Sequence, residues 1–131
     1  MSAHSAELQW LVARKSNRYL LKKRTSDGKQ FSSEPGNVRN VNAYNSSASA
    51  GRVVSVNVLP SGVTEVLSRN EALSRKGPFL TRTPAKGGRS KVHAAISKAA
   101  LEARRIDLTN PAKARYRRFH RAQQRGTNKK K

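Results

Sequence analysis

Cysteine is absent from this chain of 131 residues, and carboxylates are scarce, with only 7 Asp and Glu in total. Without thiols the chain can form no disulfide, no thiolate metal site and no cysteine nucleophile, which is typical of a reducing intracellular setting. No apolar run approaches the roughly 20 residues that span a bilayer, and residues 1–7 lack the basic and apolar regions of a signal peptide. We therefore expect neither secretion nor a membrane-spanning segment.

Positive charge dominates what is present, because 28 Lys and Arg residues leave a formal net charge of +21. Up to Ser74 there are 10 basic and 5 acidic residues, whereas from Arg75 onward there are 18 and 2. A compact chain with this excess repels itself unless a polyanion supplies negative charge, and nucleic acid is the commonest such partner. The asymmetry predicts a small antiparallel sheet domain over residues 1–74 and a basic arm over residues 75–131.

Alternating apolar residues predict several strands in the first half of the chain. Residues 8–13 fit a strand whose Leu8, Trp10 and Val12 side chains face a core, with Trp10 as the anchor. Asp27 and Gly28 form a hairpin-turn dipeptide between two further extended segments. The Val-rich segments give the strongest strand signal. The predicted strands after the first are residues 19–24, 29–32, 53–58 and 63–67.

The second half reads as a basic loop followed by helices. Gly and Pro interrupt a cationic segment after Asn70, which predicts an irregular loop. Ser90 fits the N-cap of a helix reaching to about Arg105, and Asn110 with Pro111 fits the start of a second helix. Residues 126–131 are expected to be a disordered tail. The fold class predicted is therefore α+β: a small antiparallel sheet, a basic loop and C-terminal helices.

Nothing in the sequence predicts catalysis or a cofactor, because no phosphate-binding loop, dinucleotide fingerprint or nucleophile motif is present. His93 and His120 lie among cations that would repel a metal ion, and His93 fits a solvated helix residue or a phosphate contact equally well. Glu102 and Asp107 are expected to form local salt bridges with Arg105 and Arg104. We expect no enzyme, no metal site and no small-molecule substrate.

The cations from Arg75 onward carry the functional signal, since acidic residues that would balance an ordinary solvated face are almost missing. Arg in particular binds phosphate oxygens bidentately and stacks on bases. Tyr116 and Phe119 could lie against a base or ribose, although packing onto the sheet or an adjacent helix is favoured. The residues predicted to bind RNA are Arg75, Lys76, Arg82, Lys86, Arg89, Lys91, Lys98, Arg104, Arg105, Lys113, Arg115, Arg117, Arg118, Arg121 and Arg125.

The N-terminal third also resembles a known family. Ser2-Ala3-His4, then Leu8-Gln9-Trp10-Leu11-Val12-Ala13-Arg14 and Phe31-Ser32-Ser33-Glu34-Pro35-Gly36-Asn37, are similar to the eukaryote-specific family numbered twenty-eight among large-subunit ribosomal proteins. The residues between His4 and Leu8 look like a short insertion. The resemblance implies a structural, non-catalytic component of the cytoplasmic ribosome that assembles in the nucleolus on large-subunit ribosomal RNA, beside neighbouring ribosomal proteins.

Two other functions compete with this interpretation. A nucleolar ribosome-assembly factor could share the N-terminal domain, and a histone-like protein that compacts nucleic acid would also explain the charge. The thin, Ala-rich apolar stripes of the predicted helices further suggest that residues 75–131 become ordered only on RNA, because their burial offsets little of the roughly 1–2 kcal/mol per residue that backbone ordering costs.

Overall fold

A computed structural model describes residues 5–48, 52–69 and 80–128 of the chain. It contains three helices, named α1 to α3, and five strands, named β1 to β5, which confirms the α+β prediction. Short 3-10 turns at Tyr44–Ser46 and Ile106–Leu108 complete the described structure. In chain order the elements are α1 (Ala6–Ala13), β1 (Leu20–Arg24), β2 (Gln30–Ser32), β3 (Val53–Val58), β4 (Thr64–Arg69), β5 (Thr81–Ala85), α2 (Arg89–Glu102) and α3 (Thr109–Asn128).

The first element is a helix, so the strand predicted for residues 8–13 is wrong. Ser5 caps α1, with its hydroxyl oxygen accepting from the backbone N–H of Leu8 at 3.2 Å, and Glu7 in the first turn complements the helix dipole. No residue of α1 is buried. Trp10 is therefore not a core anchor: its ring lies 6.3 Å from that of Tyr44, outside the main core.

The next two segments form the predicted hairpin. β1 pairs antiparallel with β2, with Leu20 opposite Ser32 and Arg24 opposite Gln30. The turn between them places Gly28 at a φ of 74°, a conformation that glycine adopts without steric cost. Phe31 also forms an isolated bridge with Val41, which attaches the following loop to this hairpin.

A second sheet has the order β3-β4-β5, and its first two strands are the predicted Val-rich hairpin. β5 lies in the segment predicted to be an irregular loop, so that prediction is wrong for residues 81–85. Its partner is β4, with Leu67 opposite Arg82. The rest of the predicted loop, with Arg75 and Lys76, lies outside the described residues. The domain division at Ser74 stays a prediction, although strands from both sides of it pair with each other.

The boundaries of the two long helices differ from those predicted. α2 begins at Arg89 with Gly88 at the N-cap position, not Ser90, and ends at Glu102. The 3-10 turn leads directly into α3, so Thr109 is its first residue and Asn110 is not a cap. The predicted disordered tail is wrong for residues 126–128, which continue the helix, and residues 129–131 lie outside the described part of the chain.

The core lies between one face of the three-stranded sheet and the helices α2 and α3. The sheet contributes Val54, Val56 and Val66, and Ile96 is completely buried against them. Eight of the twelve buried residues in this cluster come from the second half of the chain, so the helices supply most of the core. They are Val92, Ile96, Ala99, Ala100, Ala103, Leu108, Ala112 and Tyr116.

Candidate nucleic-acid interface

The longest helix, α3, carries a dense set of cations and no acidic residue over its 20 positions. Arg117, Arg118, Arg121 and Arg125 are all exposed. Like charges three or four residues apart on a helix destabilise it by about 0.2–0.5 kcal/mol for each pair. The other side of α3 contributes Ala112 and the buried Tyr116 to the core, so packing holds in place a helix whose outer surface repels itself.

Further exposed cations lie on β5, on α2 and on the turn between them: Arg82, Lys86, Arg89, Lys91 and Lys98. Two of them have an acidic neighbour. Arg82 is 4.0 Å from Glu65 on the adjacent strand, and Lys98 is 4.0 Å from Glu102 one turn along its helix. The Lys98–Glu102 pair is exposed on both sides and contributes at most about 1 kcal/mol, whereas in the other pair only Arg82 is exposed and Glu65 is half-buried.

Arg105 is largely engaged within the protein. Its guanidinium is paired with Asp107 at 2.9 Å and also donates to the backbone carbonyls of Asn45 at 2.6 Å and Arg52 at 3.2 Å. The hydrogen bonds from Arg105 hold the pKa of Asp107 below its usual value. Of the local salt bridges expected for Glu102 and Asp107 with Arg105 and Arg104, the one between Asp107 and Arg105 is confirmed, whereas Glu102 pairs with Lys98.

Arg115 joins α3 to the loop at residues 37–40. Its Nη1 atom donates to the carbonyls of Asn37 at 3.2 Å and Val38 at 3.3 Å, and to Asn40 Oδ1 at 3.0 Å. Burial lowers the pKa of this guanidinium from its ordinary high value. The guanidinium carbon also lies 5.4 Å from the centre of the Phe119 ring, within range of a cation–π interaction.

His93 of α2 lies against Tyr116 of α3. Its Nε2 atom is buried and has no hydrogen-bond partner within the described ranges, and its ring is nearly perpendicular to that of Tyr116, with the ring centres 5.7 Å apart. Burial lowers the pKa of His93, and the positive charges of Lys113, Arg117 and Arg89 lower it further. The three cations around His93 favour an anion beside this part of the surface.

The sequence-predicted RNA-binding residues thus fall into three groups. Exposed side chains, which are accessible to phosphate, belong to Arg82, Lys86, Arg89, Lys91, Lys98, Arg104, Arg117, Arg118, Arg121 and Arg125. Arg105, Lys113 and Arg115 are half-buried, and Arg75 and Lys76 lie outside the described residues.

Sequence reasoning missed Arg39, which lies beside Arg115 and Arg118 at one cavity. Counting charge after Ser74 could not find it, because only the fold brings this loop to α3. The packing favoured for Tyr116 and Phe119 is correct for Tyr116, which is buried. Phe119 is half-exposed and lines the same cavity.

The described residues offer neither a membrane-spanning helix nor a cluster of metal-binding side chains. No helix within 5–48, 52–69 and 80–128 is long and apolar enough to cross a bilayer. In the same ranges no three His, Asp or Glu residues come together as a possible metal site.

A small α+β protein with an excess of exposed cations is of the class that associates with a polyanion. The model of the ribosomal L28e protein family matches residues 8–122. That match covers most of the chain, and the protein belongs to this family. The comparison with curated proteins gives no match. The match to the family model confirms the resemblance seen in the N-terminal residues.

Membership makes the chain a ribosomal protein of the large subunit, a constituent of a eukaryotic ribonucleoprotein that serves translation. It implies a location on the ribosome and association with ribosomal RNA and other ribosomal proteins. Such families are in general structural and not enzymatic.

Proposed function

We propose that this protein is a structural constituent of the cytoplasmic large ribosomal subunit that binds folded ribosomal RNA by neutralising phosphates, without catalysis of its own. One observation carries the proposal: α3 exposes four arginines and contains no carboxylate over 20 residues. A surface that repels itself is stabilised when phosphates lie against it, and arginine binds phosphate with two parallel hydrogen bonds.

Within this proposal the cations have two roles. The exposed arginines of α3, together with Lys86, Arg89 and Lys91 near the start of α2, contact phosphates. Arg105 and Arg115 instead position the backbone, because their guanidinium groups are already bonded to carbonyls of the N-terminal half. No zinc-finger or other base-reading motif occurs in the sequence, which supports recognition of RNA shape over recognition of RNA sequence.

The salt dependence of RNA binding tests this proposal. The affinity of the full chain for fragments of large-subunit ribosomal RNA should fall steeply with salt, by about one unit of log–log slope for each phosphate contacted. Replacing Arg117, Arg118, Arg121 and Arg125 by Gln keeps helix propensity nearly constant and should lower the slope by about 3–4 units.

A matched variant controls for net charge. Arg14, Lys15, Arg18 and Lys29 are also exposed, and replacing them by Gln removes the same charge from the N-terminal part of the chain. We expect the slope to change little. If both variants reduce the slope equally, binding depends on overall charge, as for a histone-like protein, and not on the α3 surface.

Gradient sedimentation of the tagged protein from cell extract tests the location. We expect it with mature large subunits and translating ribosomes in the cytoplasm, after assembly in the nucleolus. Sedimentation only with nucleolar precursors would identify an assembly factor.

A further inference from the structure

A cavity of about 380 Å³ lies where the loop at residues 37–40 meets α3, and we call it the loop–helix cavity. Its walls include Val38, Arg39, Asn40, Arg115, Arg118 and Phe119. Ligand sites in proteins span about 300–1,000 Å³, so this volume suits a group of the size of one nucleotide and is too small for a duplex or a folded peptide.

The walls of the loop–helix cavity are held by contacts within the protein. Arg115 ties the loop to the helix through three acceptors, as described above. Asn37 is buried, and its Nδ2 atom donates to the carbonyl of Val41 at 2.9 Å. At Gly36, φ is 90° and an added Cβ would lie 2.7 Å from Val53 Cγ1, so the loop approaches β3 as only glycine permits. The cavity is therefore formed before any ligand arrives.

The lining of the cavity combines positive charge with one aromatic ring. Three of the eight lining residues are arginines and none is acidic. Arg39 and Arg118 are exposed and form no salt bridge within the described residues. Asn40 Oδ1 is committed to Arg115, which leaves the Asn40 amide as a donor for a further acceptor. An anion with an attached planar group can contact both the arginines and the ring, whereas a bare phosphate or carboxylate makes no stacking contact with the ring.

Phe119 is the part of the cavity that distinguishes a nucleotide from a phosphate. The ring is half-buried on a helix that exposes four arginines, and the Arg115 guanidinium lies 5.4 Å from its centre. Unpaired bases of RNA stack on aromatic rings and guanidinium planes, but bases inside a duplex cannot reach them. Tyr116, one turn earlier, is buried and cannot take this role.

We propose that the loop–helix cavity binds one unpaired nucleotide of RNA, with its base against Phe119 and its phosphate between Arg39 and Arg118. The proposal rests on the proposed function, since it assumes that α3 faces RNA. It adds a site for a single extruded base to a surface that otherwise contacts phosphates. Protein–RNA adducts formed by ultraviolet light test it, because such adducts form where a base touches a side chain.

The experiment irradiates purified large subunits containing the full chain and locates nucleotide adducts on the protein by mass spectrometry. We expect an adduct within residues 38–40 or 115–119. Adducts elsewhere on the protein with none in these segments, or a crosslink from the cavity to another protein, would overturn the proposal and leave the proposed function standing. If the chain is missing from large subunits, both fail.

Two variants examine the stacking directly, with an RNA fragment that carries the adduct nucleotide as the probe. Phe119→Leu keeps an apolar side chain but removes the ring, and should weaken binding about tenfold, or about 1.4 kcal/mol. Phe119→Trp should bind as tightly as the unmodified protein. Removing the base from the probe should weaken binding by the unmodified protein by the same factor as Phe119→Leu does. It should not weaken binding by the Phe119→Leu variant any further.

Chemical probing of the RNA in assembled subunits provides a second readout. With Phe119→Leu in place, one unpaired nucleotide should become more reactive. Leu101→Ala, at an exposed apolar position of α2 that does not line the cavity, should leave the reactivity of that nucleotide unchanged. If no nucleotide gains reactivity with Phe119→Leu, or if Phe119→Trp behaves like Phe119→Leu, the ring does not stack on a base and the proposal is overturned.

Discussion

At the scale of single residues, arginines that look alike in the sequence have different roles. Arg115 and Arg118 are three positions apart on α3, yet Arg115 is bonded to the loop at residues 37–40 and Arg118 is exposed. Removing the donor of a buried carbonyl costs stability, because the carbonyl is left without a hydrogen bond. Removing an exposed cation costs little, because water takes its place. Stability and RNA affinity should therefore separate between these two positions.

We expect Arg115→Ala to lower the free energy of unfolding by about 2–3 kcal/mol, because three acceptors lose a charged donor. Arg118→Ala is the control and should stay within about 0.5 kcal/mol of the unmodified protein while weakening RNA binding. Urea unfolding of both variants measures the difference. Equal loss of stability in both would contradict the role assigned to Arg115.

His93 should make stability depend on pH. Its pKa is lowered in the folded state by burial and by Lys113, Arg117 and Arg89, so the unfolded chain binds a proton more readily. The contribution of His93 to the free energy of unfolding is therefore fully present above the unfolded pKa of about 6.5, and it is lost as the pH drops through the folded pKa. The pKa of Asp107 is also lowered, so its contribution to stability is lost at still more acidic pH.

The measurement is the free energy of unfolding at about pH 7.5 and about pH 5.5, on either side of an ordinary histidine pKa. The unmodified protein should lose stability on acidification, and His93→Gln, which cannot be protonated, should lose less. Identical losses in the two proteins would mean that another group is responsible.

At the scale of elements, the helices and the sheet share one core. Val92 and Ile96 of α2 pack with Val54 and Val56 of β3, so neither part buries its apolar surface without the other. The sequence alone argues that the second half becomes ordered on RNA, but its Ala-rich stripes turn out to face a valine surface. That packing favours an α2 that forms in the free protein.

Amide exchange distinguishes these expectations. In the free protein we expect α2 to be as protected as β3, because both belong to the shared core. The end of α3 beyond Gln123, whose side chain donates to the carbonyl of Leu59 at 3.5 Å, should exchange quickly and become protected on RNA. An unprotected α2 in the free protein would instead show that RNA orders the whole arm.

The elements that the sequence predicts are those with one dominant signal. Alternating valines identify β3 at the residues predicted, and the strand predicted for residues 63–67 overlaps β4, which the structure places at Thr64–Arg69. Leu8 and Val12 fit both periods, because they alternate with Trp10 as in a strand and also form a helical stripe with Leu11, and α1 was missed for that reason. β5 was missed because Pro84 and polar neighbours do not look like a strand, although proline is tolerated at a sheet edge.

The candidate site is predictable only in part. Counting charge identifies the arginines of α3, because their number does not depend on the fold. The loop–helix cavity depends on a contact between Arg115 and a loop more than 70 positions earlier in the chain. No local pattern contains such a contact, so the part played by Arg39 becomes visible only in three dimensions.

At the scale of the whole molecule, β5 forms an open edge of the three-stranded sheet within the described residues. An open edge can pair with a strand from another chain, and natural sheets discourage this with proline and cations. β5 carries Pro84 and the exposed Arg82. While free copies repel one another through their net charge of +21, that repulsion disappears once RNA neutralises it.

The edge of β5 therefore matters for colloidal behaviour at the moment of assembly, when many copies are crowded on one polyanion. Pro84→Val restores a backbone donor and a strand-forming side chain, and should increase light scattering of protein–RNA mixtures but not of the free protein. Pro60→Val, in the exposed turn between β3 and β4, is the matched control. Equal scattering from both variants in the presence of RNA would show that Pro84 does not prevent edge pairing. Excess scattering from Pro84→Val would show that one proline ring keeps the sheet edges apart after RNA has neutralised the charge.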